Sequence, residues 1–228
     1  MIYLDNAATT FKKPINVIEA INHALTSYGN SGRGAYRAAL DSGRMVYETR
    51  EKISKFFGSS DPSKVIFTSN ATEGLNIVLF GLFGSGDHVI STVTEHNSVL
   101  RPLYKLEKTK NIGIDFIGID ESGKLKYDEF EKHIKENTKA IIVNHVSNVS
   151  GEIADLEYIG KIARKNNLYF IVDVSQSAGN IKIDMNKTGI DILCFTGHKG
   201  LLGPQGIGGI ILTKEMAQTL TPLIAGGT

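Results

Sequence analysis

The chain has 228 residues, of which 41% are hydrophobic and 21% charged, and its formal net charge is +1. This composition is ordinary for a globular protein, and a charge so close to zero gives no general attraction for nucleic acid or acidic membranes. The single cysteine, Cys194, excludes an internal disulfide framework and favours a reducing compartment. Because the first residues lack a basic segment followed by a long apolar one, we expect a cytoplasmic protein without a membrane span.

The predicted elements begin after an extended arm over residues 1–13. Pro14 opens a helix, a loop follows at 29–36, and a second helix ends at Gly58. Strands are then predicted at 65–68, 89–93, 115–119, 140–146, 168–174, 192–195 and 208–212, with helices at 71–83, 97–110, 127–135 and 155–166. Apolar strands with little alternation are typical of sheets covered on both faces. The sequence therefore predicts an α/β fold, with a mostly parallel sheet and helices on both sides.

Two polar residues at strand ends are the most informative feature. Asp173 stands at the end of the strand 168–174, and Lys199 follows the strand 192–195. Both are costly to desolvate unless a polar ligand lies between them. Pyridoxal phosphate is such a ligand, since a lysine amine binds its aldehyde and a carboxylate holds its ring nitrogen. Taken singly, however, a lysine is more commonly an exposed loop residue, and an aspartate here could be a helix cap.

A phosphate site is predicted beside this pair. The segment 69–74 follows a strand and opens a helix, where backbone N–H groups and the Thr72 hydroxyl could bind phosphate. Ordinary helix capping by Asn70 or Thr72 would use the same residues. Thr196 and His198 add a hydroxyl and an imidazole just before the lysine. Because the sequence has no lysine-containing Walker A motif, a nucleotide phosphate is disfavoured.

Three further side chains have a possible role and a plain alternative. His96 follows the strand 89–93, and its flat imidazole could stack on a pyridine ring and move a proton, or it could be a loop histidine. Gln176 could bind the phenolic oxygen of the ring, or be a polar loop residue. Cys194 lies within a strand and is expected to be a small core hydrophobe. The scattered histidines and the lack of HExxH or CxxC motifs argue against a metal site.

Together these motifs resemble the class V aminotransferase family of pyridoxal-phosphate enzymes, especially cysteine desulfurases. The resemblance rests on the opening segment 3–10 and on five segments in the family's order, at 71–73, 95–97, 147–151, 173–177 and 196–199. It implies the large domain of fold-type I enzymes over residues 14–228, with a mixed, mostly parallel seven-stranded sheet. It also implies a homodimer.

The resemblance implies roles at the matching positions. Lys199 would be the Schiff-base lysine and proton shuttle, Asp173 would hold the ring nitrogen, and His96 would stack on the ring. Asn148 would lie near the phenolic oxygen and the substrate carboxylate. The implied catalytic residues are Lys199 and His96, and the implied cofactor-binding residues are Ala71, Thr72, His96, Asn148, Asp173, Gln176, Thr196, His198, Lys199 and Thr228, the last reaching a neighbouring subunit's phosphate.

The implied function is pyridoxal-phosphate-dependent desulfuration of L-cysteine or a related amino acid, and the implied partner is a sulfur-acceptor protein. Family members run well beyond 228 residues. The additional portion builds a smaller domain and carries both the substrate-clamping arginine and the sulfur-accepting cysteine, whose position Cys194 does not match. Two alternatives stay open: a truncated, non-catalytic cofactor-binding protein, and an aminotransferase or lyase for another amino acid. Without the smaller domain, we expect exposed apolar surface that favours association.

Overall fold

The computed structural model describes residues 2–226. They form one seven-stranded sheet whose strands are β1 (Val65–Thr68), β2 (His88–Thr92), β3 (Gly113–Ile117), β4 (Thr138–Asn144), β5 (Tyr169–Asp173), β6 (Ile192–Thr196) and β7 (Gly208–Leu212). The order across the sheet is β1-β7-β6-β5-β4-β2-β3. Strand β7 runs antiparallel to its neighbours β1 and β6, and the remaining pairs are parallel. The predicted α/β fold with a mostly parallel seven-stranded sheet is confirmed.

Helices cover both faces of the sheet. The helices are α1 (Ile15–Ser27), α2 (Arg37–Phe56), α3 (Ala71–Leu82), α4 (Asn97–Lys110), α5 (Glu129–Lys132), α6 (Leu156–Lys165), α7 (Met185–Thr188) and α8 (Lys214–Thr219). One core cluster contains side chains of α5, α6 and α7, and the other contains side chains of α3, α4 and α8. In β5, Phe170 and Val172 point to the first cluster and Ile171 to the second. This double burial explains why the central strands are uninterrupted apolar runs.

Two predicted elements differ from the observed ones. Helix α5 has four residues, whereas the sequence pattern predicted a helix over 127–135. The helix ends early because the chain turns back into β4, where the Lys135 backbone N–H donates to the Thr138 hydroxyl at 2.7 Å. Strand β3 begins two residues before the predicted start, and Ile119 forms only an isolated bridge with Leu125. In both places, a turn formed by residues close together along the chain lies at the boundary.

Helix α1 forms as predicted, but nothing among the described residues buries it. Its apolar side chains at helical spacing are exposed: Ile15, Ile18, Ile21 and Leu25. At the end of α2, Phe56 is exposed while Phe57 is buried, so only Phe57 joins the core. The apolar spacing therefore predicted the helix correctly without indicating whether its apolar face is covered.

One edge of the sheet gathers the ends of the parallel strands. Strands β2, β4, β5 and β6 all end there, and the last residue of each is polar. In open α/β sheets, ligands bind at this carboxyl edge. Within residues 2–226, the helices are all too short or too polar to cross a bilayer.

Candidate functional site

A cavity of about 170 Å³ opens at the carboxyl edge of the sheet. The structure brings nine of the predicted site residues together around it: Ala71, Thr72, His96, Asn148, Asp173, Gln176, Thr196, His198 and Lys199. The tenth, Thr228, lies outside the described residues. The cavity is also lined by Ala8, Ser98, Asn144 and Ser175, which the sequence patterns did not single out.

Lys199, three residues after the end of β6, and Asp173, the last residue of β5, line the same cavity. Asp173, at the end of β5, is only 2% exposed. Its Oδ1 accepts hydrogen bonds from the Ser175 backbone nitrogen at 2.9 Å and the Ser175 hydroxyl at 2.5 Å. Lys199 is half-buried, and this burial lowers the pKa of its amine, while the charge of Asp173 acts in the opposite direction. A lysine that is more easily deprotonated is a better nucleophile.

The amino end of α3 forms one wall of the cavity. Asn70 caps the helix, because its side-chain oxygen accepts a hydrogen bond from the Glu73 backbone nitrogen at 2.8 Å. Glu73 in turn accepts from the backbone nitrogen of Ser69 at 2.6 Å and from its hydroxyl. Side-chain capping thus occupies Ser69, Asn70 and the Glu73 N–H, whereas the backbone N–H groups of Ala71 and Thr72 have no partner within the helix. With the Thr72 hydroxyl, they make a site suited to an anion.

Because it has no side chain, Gly208 allows the loop that contains Asn70 to approach the sheet closely. A Cβ on Gly208 would lie 2.5 Å from the carbonyl carbon of Asn70 and 2.9 Å from the carbonyl oxygen of Phe195. A side chain at this position would therefore push the Asn70 loop away from β7. Nothing in the local sequence marks Gly208, because the close contact joins three strand ends that are distant along the chain.

His96 lies between β2 and α4 and lines the cavity. Its Nδ1 accepts a hydrogen bond from the Ser98 backbone nitrogen at 3.1 Å and lies 2.8 Å from the Ser98 hydroxyl oxygen. The imidazole is therefore the N-cap of α4. His96 thus lies in a loop, as one of the two alternatives predicted, and it also lines the cavity, as the other alternative requires.

The amino-terminal arm holds the loop that carries the lysine. The Thr10 hydroxyl donates to the carbonyl oxygen of Lys199 at 2.7 Å. The Thr10 backbone nitrogen and the Lys13 amine both donate to the carbonyl oxygen of His198 at 3.0 Å, and Thr9 contacts the His198 imidazole at 2.9 Å. Burial lowers the pKa of His198, as do Lys199 and Lys13. The hydroxyl pair Thr9-Thr10 was visible in the sequence, but its partners, 189 residues away, were not.

The remaining predicted residues lie at the rim or the floor. The Gln176 side-chain nitrogen donates to the carbonyl oxygen of Ala7 at 3.0 Å, so it also holds the arm. Asn148 is exposed on the loop after β4. Thr196 is buried at the end of β6, and its hydroxyl donates to the backbone carbonyl oxygen of Ile207 at 3.4 Å. Their proposed contacts with a cofactor stay predictions.

Cys194 is fully buried within β6, which confirms that it is a core residue. Burial, together with the nearby charge of Asp173, raises the pKa of its thiol well above the ordinary value. Such a thiol is a poor nucleophile. Among residues 2–226, no cluster of three or more His, Cys, Asp or Glu side chains could hold a metal ion.

This chain is similar to known proteins of one family. A family model described as aminotransferase class-V matches residues 2–228. A probable cysteine desulfurase of Pyrococcus abyssi is 38% identical over 233 aligned residues, which cover 100% of this chain and 57% of the relative. The structure of apo cysteine desulfurase from Thermococcus onnurineus NA1 superposes with a TM-score of 0.94 at 37% identity, covering 99% of this chain and 57% of that one.

The structure of SspA in complex with cysteine is also similar, with a TM-score of 0.92 at 30% identity. The alignment covers 100% of this chain and 65% of SspA. The chain thus spans a little over half the length of the curated relatives it matches.

Proposed function

Because the chain belongs to the class-V aminotransferase family, we propose that it is a pyridoxal-phosphate-dependent enzyme of the cysteine desulfurase type, acting on L-cysteine. The observation that carries the proposal is the half-buried Lys199 sharing one cavity with the buried carboxylate of Asp173. The relatives named as cysteine desulfurases and the cysteine complex of SspA support the choice of substrate.

The side chains around the cavity fit this cofactor by their chemistry. The first turn of α3, with Ala71 and Thr72, suits the phosphate, and Thr196 and His198 would add donors. Asp173 would hold the protonated ring nitrogen, and His96 would lie against the ring face. When bound, the cofactor supplies an electron sink for the bonds at the substrate α-carbon.

Lys199 is the residue proposed to attach the cofactor. Its Nζ would form a covalent bond to the aldehyde carbon with loss of water, and burial already lowers the pKa of this amine. The same amine would also serve as the base that moves a proton at the substrate α-carbon. The backbone carbonyl of Lys199 accepts from Thr10, which restrains the loop and so limits where the amine can reach.

Asn148 and Gln176 are proposed to act at the polar rim. Both line the cavity, and both carry amide groups that can donate to an oxygen of the ring or of a substrate carboxylate. We also propose that Thr228 reaches the phosphate of a neighbouring subunit in a homodimer, that a sulfur-acceptor protein is a partner, and that the compartment is the cytoplasm. These proposals follow from the family resemblance.

The test is to trap the cofactor on the lysine. The protein is incubated with pyridoxal phosphate, reduced with borohydride, digested and analysed by mass spectrometry. We expect a pyridoxyl group on Lys199, none on that position in Lys199→Ala, and unchanged labelling in a variant at the exposed Lys187. A wild-type chain unlabelled at Lys199 would overturn the proposal.

The substrate is tested separately. L-cysteine is added to the cofactor-loaded protein, and sulfide and alanine are measured against a panel of other amino acids. Release of both products from cysteine supports the desulfurase assignment. Turnover of another amino acid in preference to cysteine would refute it while leaving the cofactor assignment intact.

A further inference from the structure

Glu95 stands directly before His96 and is buried, with 7% of its surface exposed. Its Oε1 accepts hydrogen bonds from the Thr92 hydroxyl at 2.6 Å and from the Asn144 backbone nitrogen at 2.8 Å. Thr92 ends β2, and Asn144 ends β4. One carboxyl oxygen therefore ties the turn that carries His96 to the end of a neighbouring strand.

The other oxygen of Glu95 lies in a different environment. Oε2 is buried and has no hydrogen-bond partner within the described residues. An ionised carboxylate with a buried, unpartnered oxygen is costly, whereas a neutral carboxylic acid places only a hydroxyl there. Burial, together with the charge of Asp173, raises the pKa of Glu95 from 4.5 to about 8, while the hydrogen bonds from Thr92 and Asn144 act in the opposite direction.

A second carboxyl group, that of Asp173, lies near Glu95 and disfavours a negative charge on it. Asp173 faces Asn144 across the β4–β5 pairing, so both acids meet at the same strand ends. Asp173 accepts both a backbone and a hydroxyl hydrogen bond from Ser175, and Lys199 shares its cavity. Two like charges so close disfavour each other, and it is Asp173, not Glu95, that shares its cavity with the Lys199 amine.

We infer that Glu95 is a neutral carboxylic acid in the folded protein, and that it is a positioning residue that holds the His96 turn against β4. The site then contains one carboxylate, Asp173, instead of two. One consequence rests on the proposed function: Asp173 would present a single negative charge to the ring nitrogen of the cofactor. The charge state of Glu95 itself needs no cofactor and can be measured in the unloaded chain.

The test of the charge state is infrared difference spectroscopy. A spectrum of the wild type minus Glu95→Gln, recorded at neutral pH without cofactor, should contain the carbonyl stretch of a protonated carboxylic acid. This band should disappear as the pH rises past about 8. The matched control, Glu136→Gln at an exposed glutamate, should give ionised carboxylate bands only. A difference spectrum for Glu95 that shows only ionised carboxylate at neutral pH would overturn the inference.

Unfolding measurements give a second check. A carboxyl whose pKa is higher in the folded state contributes stability at low pH that is lost as the pH rises. The stability of Glu95→Gln relative to the wild type should therefore increase between pH 4.5 and about 8. A difference that does not change with pH would contradict the neutral acid, even if both proteins fold well.

The positioning role is tested with a pair of variants. Glu95→Gln keeps an oxygen that can accept from Thr92 and Asn144, and Glu95→Ala removes it. We expect cofactor affinity in the glutamine variant to stay within about twofold of wild type, and about tenfold weaker binding in the alanine variant, from two lost hydrogen bonds. Equal affinities in the two variants would refute the positioning role without affecting the assignment of Lys199.

Discussion

Nδ1 of His96 lies 3.1 Å from the backbone nitrogen of Ser98, so a side chain that lines the cavity also caps helix α4. Because an N–H donates to Nδ1, that nitrogen carries a lone pair, and the proton of the neutral ring is on Nε2. The contact fixes both the tautomer and the position of the imidazole. Two functions of one residue can therefore be separated by substitution.

The first prediction separates capping from ring contact at His96. Asn is a good N-cap without an aromatic ring, and Phe has a flat ring without an acceptor. We expect His96→Asn to keep its stability and bind pyridoxal phosphate more weakly. We expect His96→Phe to lose about 1 kcal/mol of unfolding free energy and keep more of its affinity. Urea denaturation and cofactor titration measure the two effects. If the same variant were the weaker one in both assays, the capping and ring-contact functions of His96 would not be separable.

The second prediction concerns the charge of Asp173. Asp173→Asn keeps the shape and removes the carboxylate, so it should weaken cofactor binding by about 2 kcal/mol, the typical contribution of a charged hydrogen bond. Because Asp173 opposes the lowering of the Lys199 pKa, the variant should also titrate its lysine at lower pH. Asp191→Asn is the control, since this half-buried carboxyl instead accepts a hydrogen bond from the Phe170 backbone nitrogen at 2.8 Å. An unchanged cofactor affinity in Asp173→Asn would contradict the proposed contact between Asp173 and the cofactor.

The third prediction concerns the approach of the α3 loop to the sheet. Gly208→Ala places a methyl group 2.5 Å from the backbone of Asn70, which must move. We expect a loss of about 2 kcal/mol of stability from overpacking, with weaker binding of inorganic phosphate to the chain. Gly118→Ala, where a Cβ meets nothing within 4 Å, should change stability by less than about 0.5 kcal/mol. Calorimetry with phosphate checks both variants, and wild-type phosphate binding in Gly208→Ala would be the contrary result.

The fourth prediction is a pH dependence of stability from His145. Burial lowers the pKa of this imidazole from 6.5 to about 4, and its Nδ1 lies 2.8 Å from the Ser177 hydroxyl oxygen. The unfolded chain therefore binds a proton at higher pH than the folded chain does. Stability from the neutral ring is present above pH 6.5 and is lost as the pH falls towards 4.

The expected loss is about 3 kcal/mol for this shift. Glu95 acts in the opposite direction over part of this range, so the variant is compared with the wild type at each pH. Urea denaturation of His145→Gln should show a smaller loss of stability on acidification than the wild type does. His23→Gln, at an exposed histidine, is the control. Parallel stability curves for His145→Gln and the wild type would reject the prediction.

Much of the fold followed from local patterns. Strands 65–68 and 208–212 and helix 97–110 have the predicted boundaries, because each is an apolar or amphipathic segment between clear end signals. The helix predicted at 127–135 was too long, because the chain turns between residues 135 and 138 on its way into β4. The exposure of α1 was also not predictable, since periodicity reports an apolar face but not its covering.

The sequence by itself determined which residue types carry chemistry and the order in which they occur, because a lysine, a carboxylate and an imidazole after apolar strands are local features. Only the tertiary structure decided that β6, β5, β4 and β2 are neighbours whose ends meet around one cavity. It also decided that Glu95 is buried against Asn144, 49 residues away, with one oxygen unpartnered. Burial and charge state depend on what the rest of the chain places around a group, so no local pattern can contain them.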